Sequence, residues 1–268
     1  MERTSLMETR TPVPAAGRPG LANAVAAEWT KLRSVRSTYW LLVVGAVLIV
    51  GIAVLITVGL GSGSVTSTDD SFDPAGVSLL GAWFGQIAFG VLGVLTVTTE
   101  YATGTIRTTL AAVPRRGVLI GAKLVLVGVV AWSVGTVVSL IAFLAGQAVL
   151  AGQHRSVGLG DAGSVQAVLG TGGYLAVMGL LGVAVGVLLR HTVASVVAVL
   201  GLGLGPTLLA GLFPAWLRDH VLTNLPGPTG NRIMVTDPAP APADYLTLGA
   251  WVVGSVLVAY VLLRRRDA

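Results

Sequence analysis

The segment Glu100-Tyr101-Ala102-Thr103-Gly104-Thr105-Ile106-Arg107, which continues to Pro114-Arg115-Arg116, lies between two long apolar runs. The run before it ends at Thr99, and the run after it begins near Val118. Both runs are long enough to cross a membrane. We therefore expect residues 100–117 to form a polar hairpin that returns the chain to the membrane.

The middle of this hairpin favours a short helix. Residues 105–112 can form two turns, because Gly104 frees the backbone before them and the ring of Pro114 cannot continue a helix. A helix of two turns is marginal by itself, since nucleation is unfavourable and few hydrogen bonds follow it. The hairpin is therefore predicted to be a contact surface for a partner. The alternative is that its arginines only orient the adjacent spans.

The composition predicts a polytopic membrane protein. Hydrophobic residues make up 54% of the chain and charged residues only 11%, with a mean hydropathy of +0.83, whereas a soluble domain carries about 25% charged residues. The chain has no cysteine, which excludes disulfides and thiolate metal sites. The net charge of +5 could indicate a nucleic-acid partner, but the positions of the basic residues favour membrane topology instead, so no nucleic-acid binding is predicted.

Six apolar runs can each cross a hydrocarbon layer of about 30 Å at about 1.5 Å per residue. They are residues 40–60, 77–99, 118–150, 167–189, 193–213 and 245–263. The third run is longer than a simple span. Lys123 near its start predicts that its first turns lie in the interface, with the lysine reaching toward water. The proline-rich segment 214–244 could dip back toward the bilayer where protein covers its backbone.

Residues 21–39 are predicted to form an amphipathic interfacial helix before the first span. Apolar residues recur every three or four positions and would share one face. They are Leu21, Val25, Trp29, Leu32, Val35 and Tyr39. Polar residues such as Glu28, Lys31 and Arg33 make this helix too polar to cross a bilayer. It could also be a simple lead-in to the span. Residues 1–20 are predicted to be a disordered cytosolic tail.

The basic residues predict that both termini are cytosolic, because loops on the cytosolic side of a membrane carry an excess of lysine and arginine. With six spans, 14 of the 17 basic residues fall on one side of the membrane. Those 14 are Arg3, Arg10, Arg18, Lys31, Arg33, Arg36, Arg107, Arg115, Arg116, Lys123, Arg190, Arg264, Arg265 and Arg266. The predicted fold class is all-α integral membrane. A six-span transmembrane domain over residues 40–266 follows the amphipathic interfacial helix, with both termini cytosolic.

Chemistry of other membrane protein classes is missing from the sequence. Apart from Lys123, the predicted spans contain no charged residue or histidine, which counts against ion-coupled transport and intramembrane catalysis. No GxxxxGK[ST] loop is present, so we expect no ATPase activity or cofactor on this chain, and the three histidines have no partner at metal-ligand spacing, so we expect no metal. Gln86, with Phe84 and Phe89 near it, could line a route for an apolar or amphipathic solute, or could be core packing.

These features resemble the ABC-2 type permeases, the membrane subunits of ATP-binding-cassette exporters. The resemblance rests on residues 26–34 before the first span, on Glu100-Tyr101 with Gly104-Thr105-Ile106-Arg107, and on Pro114-Arg115-Arg116. In the segment before the last span, Leu225-Pro226 and Gly230-Asn231 look like the family's Leu-Pro-Ser-x-x-Gly pattern. Gly227 replaces the serine of that pattern here.

The resemblance implies roles for residues and partners. The helix before the first span would lie on the inner membrane surface, and the hairpin would supply the coupling helix that docks on a separate ATPase. Carried over by position, the ATPase contact is Glu100, Gly104, Thr105, Ile106 and Arg107, and the surface helix includes Glu28, Trp29, Lys31 and Arg33. The implied partners are an ATP-binding subunit, which would bind ATP and Mg, and a second permease copy or a related permease. The substrate path would lie between the two membrane halves.

Three functions follow from these expectations. The first is an export permease without its own ATPase activity, in a bacterial plasma membrane, because the excess of arginine over lysine indicates GC-rich bacterial coding. The second is a non-transporting membrane scaffold or immunity-type protein that recruits a cytosolic partner. The third is a membrane enzyme acting on lipids, for which we find no catalytic constellation. The transported substrate is left open.

Overall fold

The computed structural model describes residues 20–60, 72–106, 116–236 and 239–266, and within those ranges it is helical without strands. This confirms the predicted all-helical class. The α-helices of the described ranges are α1 (Leu21–Ser34), α2 (Arg36–Gly59), α3 (Pro74–Leu79), α4 (Ala82–Ala102), α5 (Arg116–Ala151), α6 (Ser164–Leu189), α7 (Thr192–Gly203), α8 (Gly205–Leu209), α9 (Ala215–His220), α10 (Pro226–Met234) and α11 (Pro242–Arg266). The predicted tail, residues 1–20, lies outside the described residues except for Gly20.

Five helical segments are long and apolar enough to cross a membrane. They are α2, α3 with α4, α5, α6 and α11. A sixth candidate is the pair formed by α7 and residues 205–212, which is bent by 59°. The sequence had predicted one continuous run over 193–213. The helix changes direction there because Pro206 has no backbone N–H and its ring cannot fit against the carbonyl four residues earlier.

The helix before the first span is shorter than predicted. It ends at Ser34 instead of Tyr39, because Val35 adopts an extended conformation (φ −90°, ψ 113°). The first spanning helix then begins at Arg36. Val35 therefore separates α1 from α2, whereas the sequence pattern had predicted this boundary after Tyr39.

The side of α1 that faces the bundle also differs from the predicted apolar face. The buried residues of α1 are Ala24, Glu28 and Leu32, which recur every four positions. Leu21 and Trp29 are exposed instead. The face of α1 that packs against the bundle thus includes the carboxylate of Glu28. Most of the predicted apolar face of α1 points away from the bundle.

Helix α6 is the centre of the bundle. In its most apolar 18 residues, 72% are buried, against 22% in α2 and 17% in α11. Its backbone lies against α4 because glycines face each other: a Cβ added at Gly93 would lie 1.9 Å from the Gly179 oxygen, and one at Gly182 would lie 2.3 Å from the Gly90 oxygen. Small residues allow such close approach of membrane helices. Substituting these glycines would force α4 and α6 apart.

Helix α10 returns into the bundle. A Cβ at Gly227 would lie 1.7 Å from the Gly203 oxygen, and one at Gly230 would lie 2.2 Å from the ring of Tyr174. Tyr174 is fully buried, ten residues from the start of α6, or about 15 Å along that helix. The segment after α9 therefore reaches deep between the helices. Close contact with Gly203 also explains why glycine occupies position 227, where the resembling pattern has serine.

Candidate functional site

Four charged side chains from three helices meet at one end of the bundle. They are Glu28 and Lys31 of α1, Glu100 near the end of α4, and Lys123 near the start of α5. Glu28, Glu100 and Lys123 are 6%, 3% and 3% exposed, whereas the Lys31 side chain is 43% exposed. We call these four residues the charge cluster, this end of the bundle the α1 end, and the opposite end the α10 end.

Lys123 is the centre of the charge cluster. Its Nζ donates to Glu28 Oε2 at 2.7 Å, to Glu100 Oε1 at 2.7 Å and to the Thr96 carbonyl oxygen at 3.0 Å. An ammonium group has three N–H donors, so all of them are used. Lys31 also pairs with Glu100, and its Nζ lies 3.4 Å from Glu28 Oε1. The two lysines and two glutamates together carry no net charge and join α1, α4 and α5.

Lys31 stays positively charged in this setting. Burial lowers its pKa, but the hydrogen bond to Glu100 and the charges of Glu28 and Glu100 outweigh burial, so the pKa is raised. A raised pKa means that the pairing contributes to stability below the ordinary lysine pKa of about 10.4. That contribution is lost only as the pH rises through the raised value, so it is fully present at neutral pH.

Local sequence explains how the cluster assembles. Glu28 lies four residues after Ala24 and four before Leu32, so it shares their buried face. Glu100 is in the last turn of α4, and Lys123 is two turns inside α5. Glu100 and Lys123 therefore lie near the facing ends of two consecutive helices, at the same end of the bundle.

Two sequence expectations differ from this geometry. Lys123 was expected to reach toward water, and that expectation was wrong, because its ammonium group is buried and paired with both glutamates. Glu100 was expected on an exposed contact surface, but it is buried, and its Oε2 has no hydrogen-bond partner within the described ranges. The opposite charges of Glu100 and Lys123 near the facing ends of consecutive spans were a signal for this pairing.

The remaining residues of the predicted ATPase contact lie just beyond the cluster. Gly104 and Thr105 are exposed and Ile106 is partly exposed. Gly104 has φ +71°, a left-handed conformation that favours glycine, and it turns the chain sharply after α4. Arg107 and the rest of the hairpin to residue 115 lie outside the described residues. The docking role of this turn stays a prediction.

The predicted interfacial residues fall on both sides of α1. Trp29 and Arg33 are exposed, in contrast to Glu28. Exposed tryptophan and arginine side chains fit a helix at a lipid headgroup layer. The location of α1 relative to a membrane surface is a prediction that the structure does not test.

The predicted solute route falls in two different environments. Gln86 is fully buried, accepts a hydrogen bond from the Tyr174 hydroxyl and donates from Nε2 to the Trp83 carbonyl oxygen at 2.7 Å. Phe89 is fully buried in a core cluster of apolar residues, whereas Phe84 is 40% exposed. Packing accounts for Gln86 and Phe89 in this structure, so a route along the three residues stays a prediction.

Within the described ranges, no group of three or more His, Asp or Glu side chains could hold a metal ion. The charge cluster itself supplies two carboxylates, and lysine ammonium groups occupy the position between them. Its chemistry is therefore that of a structural linkage between helices.

A comparison with protein-family models gives one match. The model described as ABC-2 family transporter protein matches residues 24–204. The matched region extends from α1 to the junction of α7 and α8 and includes all four residues of the charge cluster. No curated protein matches the chain.

Proposed function

The chain belongs to the ABC-2 transporter family, and on that basis we propose that it is the permease subunit of an exporter driven by a separate ATPase. Family membership and the membrane-like helices support a permease-type role. The family also implies an ABC transporter system with an ATP-binding partner. Export as the direction, and coupling through the hairpin after α4, belong to the proposal.

The charge cluster is the observation that carries this proposal. It lies directly behind the turn at 104–106, so a partner that pushes on the turn would act on the end of α4. Lys123 connects α4 to α5 and α1 through buried ion pairs. Removing one partner of such a pair costs about 3–5 kcal/mol. Because separation is costly, the three helices would move as one unit when the turn is displaced.

The rest of the proposed assembly follows from charge and exposure. The α1 end would face the cytosol of a bacterial cell, because 14 of the 17 basic residues fall on that side in the six-span topology. ATP and Mg would be bound by the partner ATPase. A second permease copy would complete the transporter, and the sparsely buried helices α2 and α11 offer faces for lipid or for that copy.

The proposed docking turn can be tested with Ile106→Glu. We expect this variant to lose co-purification with the ATPase subunit by on the order of tenfold, together with ATP-driven export from inverted vesicles, because it places a carboxylate in an apolar contact. The matched control is Thr192→Glu at the α6–α7 turn of the same end. A helix N-terminus tolerates glutamate, so the control should bind normally. Unchanged binding by Ile106→Glu would contradict the docking assignment.

Transmission through the cluster has a separate test in Glu100→Gln. Glu100 is buried, so this variant should still bind the ATPase, but it removes a negative charge that both lysines contact. We expect ATP hydrolysis to continue while export per ATP falls several-fold. Export per ATP equal to that of the unmodified protein would argue against transmission through the cluster.

The scaffold alternative makes a different prediction for the same complex. A non-transporting protein would bind its partner through the turn at 104–106 but would move no solute when ATP is hydrolysed. Reconstituted vesicles that hydrolyse ATP without accumulating any of a broad panel of amphipathic dyes, lipids and peptides would favour this alternative.

A further inference from the structure

A groove of about 970 Å³ lies between α6 and α11 at the α10 end. Apolar residues and glycines of the two helices form most of its lining, and Ile233 of α10 contributes from one side. The loop before α6 reaches its mouth with Asp161. The charge cluster lies at the opposite end of the bundle, so the two sites are separate.

The groove is closed at its inner end. In the half of the bundle toward the α1 end, α6 packs against α11 through an apolar cluster that includes Val183, Val187 and Ala259. Toward the α10 end the groove lies between the same two helices, from Val165 to Val177 on α6. The 12 residue-to-residue steps from Val165 to Val177 correspond to about 18 Å of helix. Half of a hydrocarbon core is about 15 Å thick, so the groove is as deep as one leaflet.

Two glycines keep the groove open. Apart from adjacent residues and the backbone of the same helix, no described atom lies within 4 Å of the position that a Cβ would take at Gly173 of α6 or at Gly249 of α11. The neighbouring Gly170 differs, because Ile233 fills the space beside it at 2.5 Å. Side chains at positions 173 and 249 would therefore project into the groove without striking the protein.

The mouth of the groove is polar and acidic. Gln166 Nε2 donates to the Tyr245 hydroxyl oxygen at 3.0 Å, which connects α6 and α11 across the mouth. Tyrosine is typical of the layer between hydrocarbon and water. Asp161 is exposed, and it is the only charged residue among the described residues that line the groove. A ligand that fits this site has an apolar chain and a cationic group at one end.

We propose that the groove binds one acyl chain of a phospholipid with an ammonium headgroup, as in phosphatidylethanolamine, with the ammonium group beside Asp161. With the orientation given under the proposed function, this lipid comes from the outer leaflet. A second copy of the chain fits less well. A membrane-crossing helix is about 10–12 Å wide and needs a groove along the whole span, whereas this groove ends halfway.

The test is native mass spectrometry of the full chain released from nanodiscs of equal phosphatidylethanolamine and phosphatidylglycerol. The unmodified protein should retain one phospholipid, preferentially phosphatidylethanolamine. In Gly173→Leu/Gly249→Leu, the new side chains occupy space that the bound chain would fill, so the chain loses packing contacts with the groove and retention should fall on the order of tenfold. Gly254→Leu on α11 is the matched control, because its Cβ also meets open space but lies outside the groove. It should retain the lipid.

A second variant tests the headgroup assignment. Asp161→Asn should still retain one phospholipid, but its preference for phosphatidylethanolamine over phosphatidylglycerol should disappear. Equal retention by the unmodified protein, the double variant and the control would overturn the proposal. If the double variant loses the lipid and also unfolds at a temperature well below that of the control, Gly173→Leu and Gly249→Leu are measured separately. Each single variant should retain less lipid without a lower unfolding temperature.

The absence of cysteine allows a direct test for the competing occupant, since Gly249→Cys adds the only thiol in the chain. Efficient disulfide formation between two copies of Gly249→Cys in membranes would place a second subunit at the groove and overturn lipid binding. None of these measurements uses ATP or the ATPase. Failure of the export proposal would therefore leave the lipid result intact, and an inverted membrane orientation would change only the leaflet that supplies the lipid.

Discussion

The two ends of the bundle hold their helices together by different means. At the α1 end, four charged side chains pair with one another across three helices, and three of them are buried. At the α10 end, Asp73 accepts hydrogen bonds from the backbone N–H of Gly76 at 3.0 Å and from the backbone N–H and hydroxyl of Thr236, each at 2.6 Å. Its carboxylate therefore binds the start of α3 and a loop after α10.

The α10 end also has an ion pair with one partly exposed member. Arg232 Nε lies 2.7 Å from Asp244 Oδ1, and the arginine side chain is 40% exposed. Arg232 also donates to the Thr223 carbonyl oxygen at 2.8 Å. Asp244 is buried, but water can solvate Arg232 when the pair is broken, whereas Lys123 and its two glutamates are all buried and have no substitute for a lost partner. The helices at the α1 end are therefore difficult to separate one contact at a time, whereas single polar contacts at the α10 end can break independently.

The largest loss of stability is expected for Lys123→Met. A small loss would mean that the two ends of the bundle do not differ in the way described above. Of the described residues that pair with Glu28 and Glu100, it leaves only Lys31, so we expect a loss of about 3–5 kcal/mol in the free energy of unfolding. Denaturant titration in detergent micelles measures this loss. Lys123→Met with Glu28→Gln and Glu100→Gln should recover much of it, because no unpaired buried charge remains. A loss under about 1 kcal/mol in the single variant would contradict the buried-pair interpretation.

An intermediate effect is expected for Asp73→Ala at the α10 end. The variant removes the cap of α3 and both hydrogen bonds to Thr236, and we expect a loss of about 2 kcal/mol. Hydrogen exchange should increase locally at α3 and near Thr236 and stay unchanged at α1. The control is Asp219→Ala, since among the described residues the carboxylate of Asp219 pairs only with the exposed Arg218. Faster exchange at both ends of the bundle would show that the two ends do not respond separately.

The smallest effect is expected for Asp244→Asn, which weakens the ion pair between the buried Asp244 and the partly exposed Arg232. We expect a loss under about 1 kcal/mol that shrinks at high salt, because mobile ions screen exposed charges. Thermal unfolding at low and high salt measures both features, with Lys123→Met as the reference for a buried pair. A loss that is as large as that of Lys123→Met, or that does not depend on salt, would remove the distinction between the two ends.

Much of the fold could be predicted from the sequence, and less of the candidate site. The apolar runs that became α2, α4, α5, α6 and α11 were recognised because length and hydropathy are properties of each segment. The turn at Gly104 and the family resemblance were also local signals. Glu28 was predicted to be on the polar surface of its helix, because nothing near it in the sequence shows that Lys123, 95 residues later, would lie 2.7 Å away.

Hydrophobicity, helical periodicity and short motifs are properties of neighbouring residues, so the sequence alone indicates the helical class, the long apolar helices and the membership of the ABC-2 family. Only the tertiary structure decided that Glu100 and Lys123 are buried partners, that α10 returns to contact Gly203 and Tyr174, and that a groove remains between α6 and α11. These features depend on which distant segments touch. The desolvation of a charge and the space beside a glycine exist only after the helices have packed.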